Sequence, residues 1–231
     1  MPKLPAGPIG RWSASTSGCS MPLPAKRPKA LRCYFSLRSP YSWLALRDLD
    51  RRGLHVGTQL DYVPYFEPAG PLKDRLIEVG GRILYVPMSR EKHRYILGDV
   101  KRIMKRKGIE PVWPIDDSPD WSIPHLIYLA CPTPQLARNF IFAAMEARWL
   151  AGADIWRWEW ARERLDSLAG ADAAQRVVAA AQGVEVAERA VSALVQAYRD
   201  DVFGVPFFVA GRERFWGADR LDAFLEASGT A

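Results

Sequence analysis

The sequence predicts an α/β fold in which a strand-helix-strand opening and a strand-strand-helix ending enclose a large all-helical insertion. Three observations predict it. Leu31 to Leu37 is short, apolar and aromatic apart from Arg32, and it runs straight into a helical pattern carried from Pro40 through Leu44, Leu46 and Leu49. From Ser89 to Arg199 the apolar residues recur at helical spacing. Near the end, Val205 to Ala210 and Arg214 to Trp216 flank a Gly211-centred turn, the pattern of an antiparallel hairpin.

Composition bounds the possibilities. The chain has 231 residues, 48% of them hydrophobic, enough for one large domain or two small ones with a real core. No apolar run approaches the ~18 residues of a membrane span, so a soluble protein is expected. Cys19, Cys33 and Cys131 form neither a disulfide framework nor a zinc spacing, which suits a reducing cytoplasm. Residues 1–30 hold six prolines, no acidic residue and five basic ones, Lys3, Arg11, Lys26, Arg27 and Lys29. Of the 32 Lys and Arg, 27 therefore remain against 26 acidic residues, a net of +1 for the body, which is not a basic protein. The first 30 residues read as a disordered basic Pro-rich extension, or as sequence upstream of a start at Met21. They have no h-region of a secretory signal and too little Arg for a transit peptide.

Taken in order, the elements begin with a strand from Leu31 and a helix from Pro40, stopped by Arg51-Arg52-Gly53. His55 to Phe66 alternates loosely as a second strand, so the opening is a parallel βαβ unit. Glu67 to Gly81, with Pro68, Gly70 and Pro71, reads as a loop. Ser89 caps a helix with the face Ile96, Val100, Ile103 and Met104, ended by Gly108, and Trp113 to Pro119 is irregular. Five further helices follow: Ser122 to Cys131, Thr133-Pro134 to Gly152, Asp154 to Leu168, Asp172 to Gln182 and Val186 to Arg199. After the hairpin, Asp219 to Ala227 is a closing helix. The expected organisation is thus 31–66 and 200–231 as two halves of one α/β domain, with 67–199 as the helical insertion.

Several clusters invite functional readings. Arg90 to Lys107 carries eight Lys or Arg against Glu91 and Asp99, which raises nucleic-acid binding, but on a helix with one apolar side these are its solvated face. Trp156, Trp158 and Trp160 cannot share one helix face, so the Trp-rich stretch that starts at Trp149 is read as packing. His55, His93 and His125 lack metal-ligand spacing, and no Ser-His triad is indicated.

The chemistry concentrates at Ser39-Pro40-Tyr41-Ser42. Ser39 occupies the N-cap position with Pro40 at the first helical position, which places a hydroxyl among free backbone N–H groups at the positive end of a helix dipole, a spot that favours an anion. The alternative is that Ser39 only caps the helix. With Ser at both ends of the x-x pair, thiol-disulfide exchange is impossible there. Serine is also a poor nucleophile without a neighbouring base, but it can donate a hydrogen bond to another molecule's thiolate. Far downstream, Gly204-Val205-Pro206-Phe207-Phe208-Val209 places a proline inside an apolar run, and a cis bond at the strand's start is expected at Pro206.

The Ser-Pro-Tyr-Ser corner has the spacing of Cys-x-x-Cys in thioredoxin-like proteins. With the Gly-Val-Pro turn and Trp216-Gly217-Ala218-Asp219-Arg220-Leu221, the chain resembles the 2-hydroxychromene-2-carboxylate isomerase family, the DsbA-like, glutathione-dependent branch that also holds kappa-class glutathione transferases. The resemblance implies a thioredoxin-like fold (βαβ…ββα) with its helical insertion. It implies glutathione as cofactor, its thiolate held by Ser39, its cysteinyl unit paired with the backbone at Val205 beside cis Pro206, and its γ-glutamyl ammonium received by Asp219. The implied activity is isomerisation by reversible thiolate addition to an electron-poor alkene in aromatic catabolism, on a small aromatic or alkene-containing substrate, in a cytoplasmic homodimer that binds neither nucleic acid nor membrane. A kappa-like transferase, which keeps the thioether, and a non-catalytic thioredoxin-like binding module are the alternatives. Two departures stand out. Where the family often has a Gly-Asn turn, this chain has Gly80-Gly81-Arg82, and Ala218 replaces the Ser that kappa-class transferases place before the final Asp.

Overall fold

A computed structural model describes residues 31–230; the extension over 1–30 and Cys19 lie outside the described residues. Among the described residues the elements run β1 (Leu31–Phe35), α1 (Pro40–Arg51), β2 (Leu60–Pro64), α2 (Gly70–Glu78), α3 (Arg90–Arg106), α4 (Ser122–Ala130), α5 (Pro134–Ala151), α6 (Trp158–Ala169), α7 (Ala171–Ala181), α8 (Val184–Arg199), β3 (Phe207–Ala210), β4 (Glu213–Trp216), a single 3-10 turn (Ala218–Arg220) and α9 (Leu221–Ser228). The sheet order is β2-β1-β3-β4, with β1 parallel to β2 and antiparallel to β3, and β3 antiparallel to β4. Tyr34 stands opposite Val63 and Phe207, and Phe207 opposite Trp216. This register brings the ends of β1, β2 and β4 and the start of β3 to one edge of the sheet.

Alternation along β1 feeds two cores. Cys33 and Phe35 join Trp43, Leu46 and Leu49 of α1 and Phe224 of α9 in the larger one, which continues into α4 to α7. Tyr34 points the other way and joins Phe207, Val209, Leu76 of α2 and Leu194 of α8. Trp149 and Trp156 are buried in the larger core and Trp158 and Trp160 pack against it, so the tryptophan-rich stretch is core. In α3, Val100 and Met104 are buried while the eight basic side chains of the run are exposed.

Ser39 and Thr133 cap α1 and α5 as expected, each side-chain oxygen accepting a backbone N–H three residues on. Three expectations are corrected. The loop expected from Glu67 to Gly81 contains α2, because Pro71 falls in the first turn, where a missing N–H costs nothing, and Leu76 anchors the helix in the second core. Asp154 does not cap α6. Ile155 and Trp156 turn inward and are buried, Asp154 pairs with Arg157 at 3.2 Å instead, and the helix starts only at Trp158. Gly170, not Asp172, is the N-cap of α7, and Asp172 lies in the first turn, where its charge suits the helix dipole.

Asp200, just after α8, ties β1 to β4. Its carboxylate accepts from Arg32 Nε at 2.7 Å, Arg32 Nη2 at 3.2 Å and the Tyr34 hydroxyl, while its carbonyl accepts from Arg214 Nε at 2.8 Å. Burial alone would raise the Asp200 pKa, but the bonds from Tyr34 and Arg32 outweigh it and hold the carboxyl below its ordinary value.

Candidate active site

Ser36 to Ser39 turns the chain from β1 into α1, and every step of the turn is tied down. The Ser39 N–H donates to the Ser36 carbonyl at 3.0 Å, the Arg38 N–H to Ser36 Oγ at 3.3 Å, and the Ser36 N–H to the buried Ser42 Oγ at 3.2 Å. Ser42 is therefore a bracket inside the corner. Ser39 Oγ accepts from the Ser42 N–H at 3.1 Å and directs its own proton to the Val205 carbonyl at 3.5 Å. That outgoing bond lies at the outer limit of hydrogen-bond distance, so the hydroxyl proton is available to a better acceptor.

The partner loop comes from the other end of the chain. The Val205–Pro206 bond is cis, in line with the proline's place in an apolar run. Pairing of β3 begins at Phe207, which leaves the Val205 backbone outside the sheet ladder, and the Pro206 carbonyl accepts from the Gly217 N–H at 3.0 Å. Trp216 lies over this loop; a Cβ at Gly204 would stand 2.8 Å from its Nε1. Gly217 has φ +110°, and a Cβ there would come within 2.5 Å of Asp219 Oδ1. Asp219 sits on the 3-10 turn that packs against α1, its side chain 73% exposed and 3.7 Å from Arg220. The structure thus joins Ser39 directly to Val205 and sets Asp219 on the same edge; among the described residues no hydrogen bond links Asp219 to either.

His125 is the residue that sequence reasoning missed. Fully buried in α4, it accepts the Leu37 N–H on Nε2 at 3.0 Å and donates from Nδ1 to the Trp121 carbonyl at 2.6 Å, with Phe66 stacked on its ring at 4.6 Å. Ser36 Oγ lies 3.5 Å from the same Nε2. Burial drives the ring's pKa down to about 4, against the weaker upward pull of the Trp121 carbonyl, so the imidazole is neutral and its two nitrogens have fixed roles. The available signal was a lone polar residue in the apolar run Ile123-Pro124-His125-Leu126-Ile127. Neither metal-ligand spacing nor a Ser-His pattern tests for such a packing role.

Cys33 is buried, with its thiol pKa pushed up by burial, and Cys131 is pushed up to about 12 for the same reason, so neither supplies a thiolate. Two surface clefts, of about 310 and 240 Å³, are lined by other residues than Ser39, Val205 or Asp219.

The DsbA-like thioredoxin domain family matches residues 30–228. The chain belongs to that family. Within it, the chain is 30% identical over 207 residues to a 2-hydroxychromene-2-carboxylate isomerase of Sphingobium xenophagum, covering 86% of this chain and 97% of that protein. A solved 2-hydroxychromene-2-carboxylate isomerase superposes with a TM-score of 0.63 at 23% identity, over 86% of this chain and 94% of that one. The cytosolic disulfide reductase DsbM from Pseudomonas aeruginosa with GSH gives 0.56 at 16% identity, over 87% and 99%. The DsbA-like thioredoxin fold with a helical insertion is therefore shown, and the first relative supports an isomerase, hence an enzyme. No helix among the described residues is long and apolar enough to cross a membrane.

A thiol tripeptide fits the residues of this DsbA-like corner. There is a hydroxyl at a helix N-terminus for the sulfur, a backbone stretch outside the sheet ladder for the peptide, and an exposed carboxylate for an ammonium. Gly80-Gly81-Arg82 adds no amide side chain, and Arg82 lies over the Tyr198 ring at 5.3 Å.

Proposed function

We propose that the chain is a cytoplasmic, glutathione-dependent isomerase of the 2-hydroxychromene-2-carboxylate type, serving the breakdown of aromatic compounds. The observation that carries the reading is the Ser39 hydroxyl, capping α1 and facing Val205 beside cis Pro206. Glutathione would supply a thiolate that adds to an electron-poor alkene, lets the bond rotate and leaves again. Ser39 would turn its proton from the Val205 carbonyl to the sulfur, adding a charge-assisted hydrogen bond to the favourable field of the helix N-terminus. The Val205 backbone would align the cysteinyl unit, and Asp219 would take the γ-glutamyl ammonium. Behind the corner, the Leu37 N–H donates to the buried His125, and Phe66 stacks on that ring, which braces the turn from within.

The test follows the isomerisation of 2-hydroxychromene-2-carboxylate by absorbance, with and without glutathione. Turnover should require glutathione, and Ser39→Ala should lower kcat/KM by about 10- to 100-fold, the worth of one hydrogen bond to a charged group. Turnover independent of glutathione, or an undiminished Ser39→Ala variant, would contradict the proposal.

A further inference from the structure

Arg38 stands next to Ser39 in the chain, but its side chain leaves in another direction. Its guanidinium lies 5.8 Å from the centre of the Trp121 ring, at the start of α4, and 3.6 Å from Glu67, beyond the end of β2. Arg148 also lies over Trp121, at 4.6 Å, yet Arg148 is buried and both of its Nη groups are taken by a bidentate pair with Asp116 at 3.0 and 2.9 Å. The two arginines differ in what they can offer. Arg38 is 52% exposed, and its contact with Glu67, itself 50% exposed, is too long for a hydrogen bond. Such a pair is weak in water and easily exchanged for a better carboxylate.

Sheet order favours one owner for that carboxylate. With the order β2-β1-β3-β4, the residues placed for glutathione lie on the β3 and β4 side of Ser39, namely Val205 before β3 and Asp219 after β4. Arg38, Glu67 and Trp121 occupy the β2 side. Resting on the isomerase reading above, we propose that Arg38, steadied by the Trp121 ring, is the specificity-determining residue that takes the carboxylate of an aromatic-carboxylate substrate on the side of Ser39 away from β3. The planar guanidinium suits a bidentate carboxylate, which a lysine in its place would meet with a single point charge. The glycyl carboxylate of glutathione is the other possible source of the same chemistry.

The experiment measures three things on the wild type, Arg38→Gln and Arg38→Lys. These are binding of the unreactive bicyclic acid chromone-2-carboxylate, binding of glutathione, and kcat/KM for 2-hydroxychromene-2-carboxylate and for its methyl ester. Arg38→Gln should weaken chromone-2-carboxylate about 10- to 100-fold and lower kcat/KM for the acid by a similar factor, mainly through KM. Glutathione binding and ester turnover should not change, and Arg38→Lys should fall between. Equal binding of the acid by wild type and Arg38→Gln, or no binding by wild type, overturns the proposal, as does an equal loss on acid and ester. Weakened glutathione binding with unchanged acid binding assigns Arg38 to the glycyl carboxylate and also overturns it. Because the acid's binding needs no turnover, a wild type that binds it through Arg38 but isomerises nothing would sink the isomerase reading while leaving this subsite standing.

Discussion

Burial of His125 makes the geometry around Ser39 sensitive to pH. Its ring titrates near 6.5 when unfolded but is held down to about 4 when folded, chiefly by desolvation. Above pH ~6.5 both states are neutral and the residue adds no pH dependence. As pH falls from ~6.5 towards 4 the unfolded chain takes up a proton that the folded one refuses, so stability falls, by up to about 3 kcal/mol in all. His125→Gln, which keeps an acceptor and a donor without titrating, should flatten that part of the profile in urea unfolding at stepped pH. Unchanged slopes would contradict the burial account. The apolar run around His125 marks it as buried, but its role is not local, because the partner N–H belongs to Leu37, 88 residues away. Ser39, by contrast, was legible: the Ser-Pro pair and the strand-to-helix switch are both local signals.

At the scale of elements, the corner between β1 and α1 depends on Ser42 as well as Ser39. Ser42→Ala removes the acceptor for the Ser36 N–H, in a turn where Ser36 and Leu37 are buried. An unsatisfied buried N–H costs about 1–3 kcal/mol, so the variant should unfold at lower urea with an unchanged m-value, and glutathione binding should weaken through displacement of Ser39. A loss below ~0.5 kcal/mol would mean that the turn holds without the bracket. Elements whose caps and periods agree, such as α1, α3 and α5, could be read directly. The N-terminal boundary of α6 could not, since burial of Ile155 and Trp156 overrides the Asp154 signal, and α2 was masked because Pro71 reads as a breaker until its position in the first turn is known.

For the whole molecule, Asp200 joins β1 through Arg32 and Tyr34 and reaches β4 through Arg214. Asp200→Ala would strand the Arg32 charge and the Tyr34 hydroxyl, at a cost of about 3 kcal/mol, and the loss should be less than additive with Tyr34→Phe. Additive losses would mean that the three groups do not act as one network. None of this was readable from sequence, because the network is built across more than 160 residues. The same long reach brings Val205 to Ser39, and there the sequence did carry a clue, in the proline that interrupts an apolar run. The central claim is that these two distant segments hold a thiolate, and its most direct measurement is the ultraviolet titration of the thiol of bound glutathione. With the wild type the thiol should ionise about one to two pH units below its ordinary value of about 8.5, the equivalent of one hydrogen bond to a charged group, and with Ser39→Ala most of that shift should disappear. Identical titrations of glutathione bound to the two proteins would contradict the account.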